Sequence, residues 1–288
     1  MIPGALQTAL AQALDVPIHS IDAVGGGDIN EAARVTTAGA RYFVKWNLRP
    51  HPRMFEVEAR GLRLLKAAQA VRVPEVIAVI DQPPALVLEW IDVRGSKNHA
   101  ADALGRQLAQ QHRALGPSYG LDHDNYIGSN RQPNRPTDSW IDFFRDQRLG
   151  SQMELARRNG YLDSRRARQL ERMMSRLGEW IDGPACAPSL LHGDLWGGNF
   201  ITGPDGEPVL IDPAVYYGDR EAEIAFTELF GGFGPNFYAA YNEAWPLAPG
   251  YADRRDLYNL YHLLNHLNLF GEGYGGSVDA ILRRYAGM

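Results

Sequence analysis

The stretch LLHGDLWGGNF, from Leu190 to Phe200, decides the fold and the chemistry of this chain. A short apolar lead runs into His-Gly-Asp, and Asn199 follows Asp194 by five residues. A carboxylate at Asp194 can accept the proton of an incoming hydroxyl group. The amide oxygen of Asn199 can bind a magnesium ion that carries nucleotide phosphates.

A second acidic position follows in the run PVLIDPA, which predicts a strand that ends at Asp212. A hairpin between Asn199 and Asp212 would return this carboxylate beside the first loop. Taken alone, HGD is a turn in most proteins, and an Asp-Pro after an apolar strand usually opens a loop. Together and in this order, the three residues form the base and magnesium set of a phosphotransferase.

The segment before residue 47 predicts a strand, a glycine loop and two further strands. Gly25, Gly26 and Gly27 let backbone N–H groups approach phosphates, although three glycines are more often a hairpin turn. Lys45 ends the third strand, where one cation could neutralise nucleotide phosphates. The pattern G-x-x-x-x-G-K-[ST] is absent, which excludes a P-loop.

An amphipathic helix is predicted over residues 53–70, and two strands follow over residues 74–80 and 85–91. The helix carries Glu56 and Glu58, and either could pair with Lys45 or remain a solvated surface charge. The remainder alternates helices with one long loop over residues 116–140. Such a loop in a compact domain is usually functional or disordered.

Several histidines suggest a metal site without completing one. His123 and Asp124 have no nearby third ligand in the sequence. His262 and His266 have the i, i+4 spacing of a zinc helix but lack the Glu of H-E-x-x-H. His112 falls within a helical leucine pattern. We therefore expect these histidines to pack or to line a site.

Composition excludes several classes of protein. The chain has 288 residues, 45% of them hydrophobic, and a net charge of -5, which is enough for a large core divided between two lobes. No apolar run reaches the ~20 residues that span a bilayer, and no basic stripe indicates nucleic-acid binding. One cysteine, Cys186, cannot form an internal disulfide. We expect a cytoplasmic monomer.

The motifs HGDLWGGN and IDPAVYYGDREAEIAFTELFGGF resemble the fructosamine (ketosamine) kinases, within the kinase-like aminoglycoside and choline phosphotransferases. Protein kinases are a poorer match because HRD and DFG are absent. The resemblance covers nearly the whole chain, most strongly from Asp124 onward. It implies a bilobal α+β protein-kinase-like fold, with a small antiparallel-sheet lobe over residues 1–91 and a mostly helical lobe over residues 92–288.

The resemblance also implies a reaction. The γ-phosphoryl group of ATP, held with Mg²⁺, is transferred to the sugar 3-hydroxyl of fructosamine or ribulosamine adducts, either free or on proteins. The phosphorylated adduct then decomposes, which repairs the glycated amine. In this set Asp194 is the base, Asn199 and Asp212 hold magnesium, and Lys45 steadies the phosphates.

The family pattern E-x-x-x-L-x-L begins at Glu58, which favours Glu58 over Glu56 as the partner of Lys45. Glu223 stands where related phosphotransferases commonly carry an Asp that hydrogen-bonds the catalytic loop. The resemblance to kinase folds places adenine against the backbone of Glu89, Trp90 and Ile91.

A ketosamine presents hydroxyl groups and a protonated amine. Its site needs an aromatic platform, amides and negative potential. Trp196 could stack on the sugar, although a core tryptophan is an equally good interpretation. Asn125 could bind hydroxyl groups, and Asp219 and Glu221 could attract the amine.

Two rival functions stay open at this point. An aminoglycoside or choline kinase shares the base and metal residues, but the loop from residue 120 to 138 mixes arginines with acids and resembles the ketosamine branch. A non-catalytic protein of kinase fold usually lacks the base, a metal ligand or the lysine, and this chain has all three.

Overall fold

A computed structural model describes residues 2–25, 29–181 and 186–287. The predicted phosphate-loop positions Gly26 and Gly27 lie outside these ranges, and Gly25 is within them. None of the helices in these ranges has both the length and the apolar character needed to cross a bilayer.

The amino-terminal part is a five-stranded sheet in the order β1-β2-β3-β5-β4, with every neighbouring pair antiparallel. β-Branched and aromatic residues favour these strands, and short turns join β2 to β3 and β4 to β5. The strands are β1 (Ile18–Val24), β2 (Glu31–Thr37), β3 (Arg41–Trp46), β4 (Val76–Asp81) and β5 (Pro84–Glu89).

Alternation along β3 decides where Lys45 points. Val44 and Trp46 are buried in one cluster with Leu6 of α1 (Gly4–Leu14), which covers one face of the sheet. Because successive side chains of a strand point to opposite faces, Lys45 faces the other side. That side is covered by the helix α2 (Met54–Ala67).

The chain after Glu89 is mostly helical. A π-helical turn, Phe144–Gly150, joins α4 to α5, so the predicted helix of this region is continuous but locally wound differently. The helices are α3 (Lys97–His112), α4 (Trp140–Phe143), α5 (Ser151–Asn159), α6 (Ser164–Met174), α7 (Arg220–Leu229), α8 (Pro235–Ala244), α9 (Tyr251–Phe270) and α10 (Gly275–Ala286).

Three short antiparallel strand pairs hold the loops of the helical part. The predicted long loop contains one of them, so it is ordered rather than structureless. The pairs are β6 (Asn125–Ile127) with β7 (Asn130–Gln132), β8 (Ser189–Leu191) with β11 (Tyr216–Gly218), and β9 (Phe200–Thr202) with β10 (Pro208–Leu210).

One hydrophobic cluster joins the sheet to the helical part. It includes Leu62 of α2, Leu104 of α3 and Phe237 of α8, all almost fully buried. At Gly105 the helices approach so closely that a Cβ atom would lie 2.4 Å from the carbonyl oxygen of Phe237. A second cluster fills the space between α4, α5, α6, α9 and α10. This architecture confirms the predicted α+β, kinase-like fold.

Candidate active site

The base loop begins where β8 leaves the core. Leu190 and Leu191 are buried, and Gly193 then adopts a φ of +83°, which favours glycine. A Cβ atom at Gly193 would lie 2.0 Å from the carbonyl oxygen of Ala214. The Gly of HGD is therefore required by the close passage of two backbones, and it sets the position of Asp194.

The hairpin β9–β10 returns Asp212 beside this loop, as predicted. The Ile211 N–H donates to the Asn199 carbonyl at 3.0 Å, and the Ala214 N–H donates to the His192 carbonyl at 2.8 Å. Asp212 has a φ of 54°, an uncommon backbone state for a non-glycine residue. Its side chain is half exposed, so it faces the cleft.

His192 ties the two segments together and was not singled out from the sequence. Its Nδ1 accepts from the Asp194 N–H at 3.3 Å, so its Nε2–H donates to the Ile211 carbonyl at 2.9 Å. Burial lowers the pKa of His192, which keeps the imidazole neutral in this tautomer. Only its place directly before Gly193 could have indicated this role.

The Asn199 side chain connects the proposed metal site to the proposed base. Its Nδ2 donates to the Asp194 carbonyl at 2.9 Å and to Asp194 Oδ2 at 3.1 Å. This leaves Asn199 Oδ1 with no hydrogen bond from the described part of the chain. Asn199 Nδ2 also lies 3.5 Å from the Asp212 carbonyl, so the two residues are neighbours. An amide oxygen and a carboxylate on neighbouring residues fit Mg²⁺, which prefers oxygen ligands and completes its shell with waters and phosphates.

Lys45 lies between two carboxylates across the cleft. Its Nζ contacts Glu58 of α2 and lies 2.7 Å from Asp212 Oδ1. Glu56 instead pairs with Arg53 on the surface, at 2.5 Å, so the choice of Glu58 is confirmed. Burial alone would lower the pKa of Lys45, but the two carboxylates outweigh it and raise the pKa. Lys45 is therefore a permanent cation facing the cleft.

The pKa values of Asp194 and Asp212 are shifted in opposite directions. Burial raises the pKa of Asp194 to about 7, and the negative charge of Asp212 adds to the effect. Partial desolvation in the cleft would by itself raise the pKa of Asp212, but the positive charge of Lys45 outweighs it and lowers that pKa. Two carboxylates with separated pKa values suit different roles, one as a base near neutral pH and one as a constant anionic ligand.

Glu223 of α7 supports the base loop, as its place in the sequence implied. Its Oε1 accepts from the Gly193 N–H at 2.7 Å, and its Oε2 accepts from His112 Nε2 at 2.9 Å. All three residues are buried. The extra methylene of Glu relative to Asp is therefore accommodated without loss of the contact to the loop.

The segment after β5, where adenine was predicted to bind, has backbone groups without a hydrogen-bond partner in the described part of the chain. Trp90 and Ile91 make no backbone hydrogen bond within the described residues, whereas Glu89 is still a strand residue whose N–H donates to Glu75. The Glu89 side chain pairs with Arg72 at 2.6 Å. The strand thus ends two residues earlier than predicted, and the backbone groups without a partner belong to Trp90 and Ile91.

Trp196 lies on the open side of the base loop. It is 43% exposed, which excludes the interpretation as a core tryptophan. Its ring lies against the backbone of the following turn, since a Cβ atom at Gly198 would come within 2.2 Å of it. An exposed ring held flat next to Asp194 can stack on a ligand.

Three predicted substrate residues are engaged elsewhere. Asp219 caps α7 and accepts from the Tyr258 hydroxyl at 2.6 Å, and Glu221 pairs with Arg254 at 2.7 Å. Both acids are buried, and their partners lie in α9. Asn125 is also buried, and its amide bonds the Val215 carbonyl at 2.8 Å. Their side chains are bonded to other protein groups and are not open to a substrate.

The region from Asn125 to Asn134 is held by a buried polar network that the sequence did not reveal. Gln132 Nε2 donates to Asn125 Oδ1 and to the Ala214 carbonyl, at 2.8 and 3.0 Å. The fully buried Arg148 donates to Asn134 Oδ1 at 2.8 Å. This network fixes the β6–β7 hairpin to the chain just beyond Asp212.

The two-part fold and the opposed Lys45 and Asp194 loops define the class of kinase-like phosphotransferases. The crystal structure of a choline kinase from Streptococcus pneumoniae shares the fold alone, with a TM-score of 0.68 at 15% identity over 98% of both chains.

The profile of the family described as fructosamine kinase matches residues 4–287. The chain belongs to the fructosamine kinase family. The protein-ribulosamine 3-kinase of Oryza sativa subsp. indica is 41% identical over 98% of this chain and 83% of that protein. A Thermobifida fusca crystal structure, whose name places it with the fructosamine-3-kinases, has a TM-score of 0.90 at 31% identity over 99% of both chains.

Proposed function

We propose that this protein transfers the γ-phosphoryl group of ATP to the 3-hydroxyl of ketosamines, namely fructosamine or ribulosamine adducts of amines. The observation that carries this proposal is the arrangement of Asp194, Asn199 and Asp212 in one hydrogen-bonded loop pair facing Lys45. The substrate class rests on the relatives, which are named for ribulosamines and fructosamines.

The nucleotide occupies the cleft between the sheet and the helical part, which we divide at residue 91. Lys45 neutralises the phosphates and is oriented by Glu58. Gly25 offers a backbone donor to the phosphates, and the free backbone groups of Trp90 and Ile91 meet adenine. Mg²⁺, when bound through Asn199 Oδ1 and the Asp212 carboxylate, supplies positive charge next to the phosphates.

The acceptor hydroxyl reacts at Asp194. The Asp194 carboxylate orients this hydroxyl and takes its proton, while the bond from its oxygen to the γ-phosphorus forms and the bond from phosphorus to ADP breaks. The Asn199 amide holds the carboxylate through Oδ2, which leaves Oδ1 for the substrate. A base with a pKa of about 7 is well matched to a reaction at neutral pH.

The sugar is placed by Trp196, whose exposed face lies next to the base loop. Asp219 and Glu221 do not attract the positive amine of the substrate, because both are buried and paired with protein groups. Free ketosamines and glycated protein amines both present the same sugar hydroxyl to this surface.

An ATP-consumption screen over fructosamines, ribulosamines, aminoglycosides and choline tests the proposal. We expect ADP release with ketosamines and phosphate-dependent loss of the sugar from the amine. Turnover of aminoglycosides or choline without ketosamine activity would overturn the substrate class but leave the phosphotransfer chemistry standing. No turnover with any acceptor, in a protein that binds ATP, would favour a non-catalytic binding protein.

A further inference from the structure

A chain of buried polar groups runs from the base loop to the far side of the helical part. It begins at the Gly193 N–H, passes through Glu223 and His112, and ends at the hydroxyl of Tyr241. The three side chains are between 0% and 3% exposed. Because buried polar groups are costly unless paired, their arrangement is tightly determined.

The directions of the hydrogen bonds can be assigned. Glu223 accepts at both oxygens, so His112 Nε2 must donate to it. His112 Nδ1 then lies 2.8 Å from the Tyr241 oxygen, which also accepts from Arg220 at 3.1 Å. The Tyr241 hydroxyl therefore donates to His112 Nδ1, which selects the His112 tautomer that donates to Glu223.

This row of hydrogen bonds reaches the active site through one backbone atom, the Gly193 nitrogen. Gly193 cannot shift toward Ala214, since the two backbones already touch, and on the other side its N–H is held by Glu223 at 2.7 Å. Asp194 follows directly. A glutamate has one more rotatable bond than an aspartate, so it needs a second contact to stay in one rotamer, and His112 supplies that contact.

We propose that His112 and Tyr241 are positioning residues for phosphoryl transfer, which orient Glu223 and through it the loop that carries Asp194. This inference rests on the proposed function for its kinetic readout. Neither residue touches a substrate, so their loss acts on turnover rather than on ATP binding. Misplacement of a catalytic group by about 1 Å can cost roughly a hundredfold in rate.

Gln111, the residue before His112, provides a matched control. Gln111 lies on the same helix, is equally buried, and has no hydrogen-bond partner for its amide within the described residues. We call the side chains of Glu223, His112 and Tyr241 the relay. His112→Leu removes the donor to Glu223, whereas Gln111→Leu removes a polar group that makes no hydrogen bond to the relay. His112→Gln keeps a donor near the position of Nε2, and Tyr241→Phe removes only the hydroxyl.

The kinetic test measures kcat and KM for ATP and for a ketosamine in each variant. We expect His112→Leu to lower kcat roughly tenfold to a hundredfold with KM for ATP nearly unchanged, and His112→Gln to restore most of the loss. Tyr241→Phe should give a smaller loss, and Gln111→Leu none. Unchanged kcat in folded His112→Leu, or equal losses in His112→Leu and Gln111→Leu, would overturn the proposal.

A second readout does not depend on the substrate. A short hydrogen bond to a carboxylate moves an amide proton downfield and slows its exchange, so the Gly193 amide resonance reports the relay directly. We expect the downfield shift to be lost in His112→Leu and kept in His112→Gln and Gln111→Leu. If no acceptor is turned over, the proposed function fails while this measurement still decides the relay. A Gly193 resonance that is unchanged in His112→Leu rules the relay out, and if that variant does not fold, Tyr241→Phe is compared with Gln111→Leu in the same way.

Discussion

The side-chain amide of Asn199 donates to Oδ2 of Asp194 at 3.1 Å, so the proposed metal ligand also holds the proposed base. One amide group thereby serves two parts of the reaction: its nitrogen fixes the carboxylate, and its oxygen is left for the cation. The following predictions test the roles assigned to this pair and to Lys45.

Asp194→Asn should lower turnover by roughly a hundredfold or more, the usual scale for a positioned base, while ATP affinity stays nearly unchanged. The amide keeps the shape of the carboxylate but cannot accept the proton. Single-turnover kinetics and equilibrium ATP titration measure the two quantities separately. Near-normal turnover in the variant would remove Asp194 from the mechanism.

The pH dependence of kcat/KM for the acceptor should report the titration of Asp194. Burial raises its pKa to about 7, and the base works only when deprotonated. The rate should therefore rise with pH through about 7 and then level off. A rate that is constant across this range would show that another group takes the proton.

The same shift predicts a stability effect. The pKa of Asp194 is raised in the folded state, so its stabilising contribution is fully present below the ordinary aspartate pKa of 3.8 and is lost as pH rises from there through about 7. Asp194→Asn should therefore have a higher Tm than the wild type well above pH 7. The two proteins should converge well below it. A difference that is the same at all pH values would contradict the assignment.

Asp212→Asn should weaken activity that depends on magnesium, because a neutral amide replaces an anionic ligand beside a doubly charged ion. We expect the magnesium concentration for half-maximal activity to rise and the effect to be partly overcome by excess metal. Magnesium titration of the ATP-dependent rate measures this. Wild-type activity that survives an excess of chelator would disprove the metal assignment.

Lys45→Ala should reduce activity through poorer placement of the phosphates, and Lys45→Arg should not fully rescue it, because a planar guanidinium differs from a compact ammonium. Glu58→Gln should reproduce part of the loss. Glu56→Gln is its matched control on the same helix, since within the described residues Glu56 forms its ion pair with Arg53. If Glu56→Gln impairs activity as much as Glu58→Gln, the ion pair with Lys45 is not what orients the lysine.

The sequence allowed the base loop and its neighbour to be predicted because they are close in the chain. Asp194, Asn199 and Asp212 are joined by one tight turn and one hairpin, whose geometry follows from local residue types. Lys45 was found in the same way, from its place at the end of a strand. Its pairing with Glu58 needed family resemblance, because a helix charge by itself has no defined partner.

The burial of Asp219 and Glu221 could not be predicted from the sequence, for a different reason. Asp219 and Glu221 lie two residues apart in a polar run that looks exposed, yet both are buried and bonded to residues of α9, more than thirty residues away. Tyr258 donates a hydrogen bond to Asp219, and Arg254 forms an ion pair with Glu221. No local pattern announces such partners. The π-helical turn at Phe144–Gly150 was missed for a related reason, since its apolar spacing differs little from that of an ordinary helix.

Because Trp196 is exposed, its intrinsic fluorescence can report the binding of a ligand. Of its six tryptophans, all within the described residues, Trp196 is the most exposed, at 43%, while Trp46 and Trp140 are buried in the cores. An indole that loses water when a sugar settles on it changes its emission. The approach of an acceptor to the cleft can therefore be followed by fluorescence, without a label and before any phosphate moves.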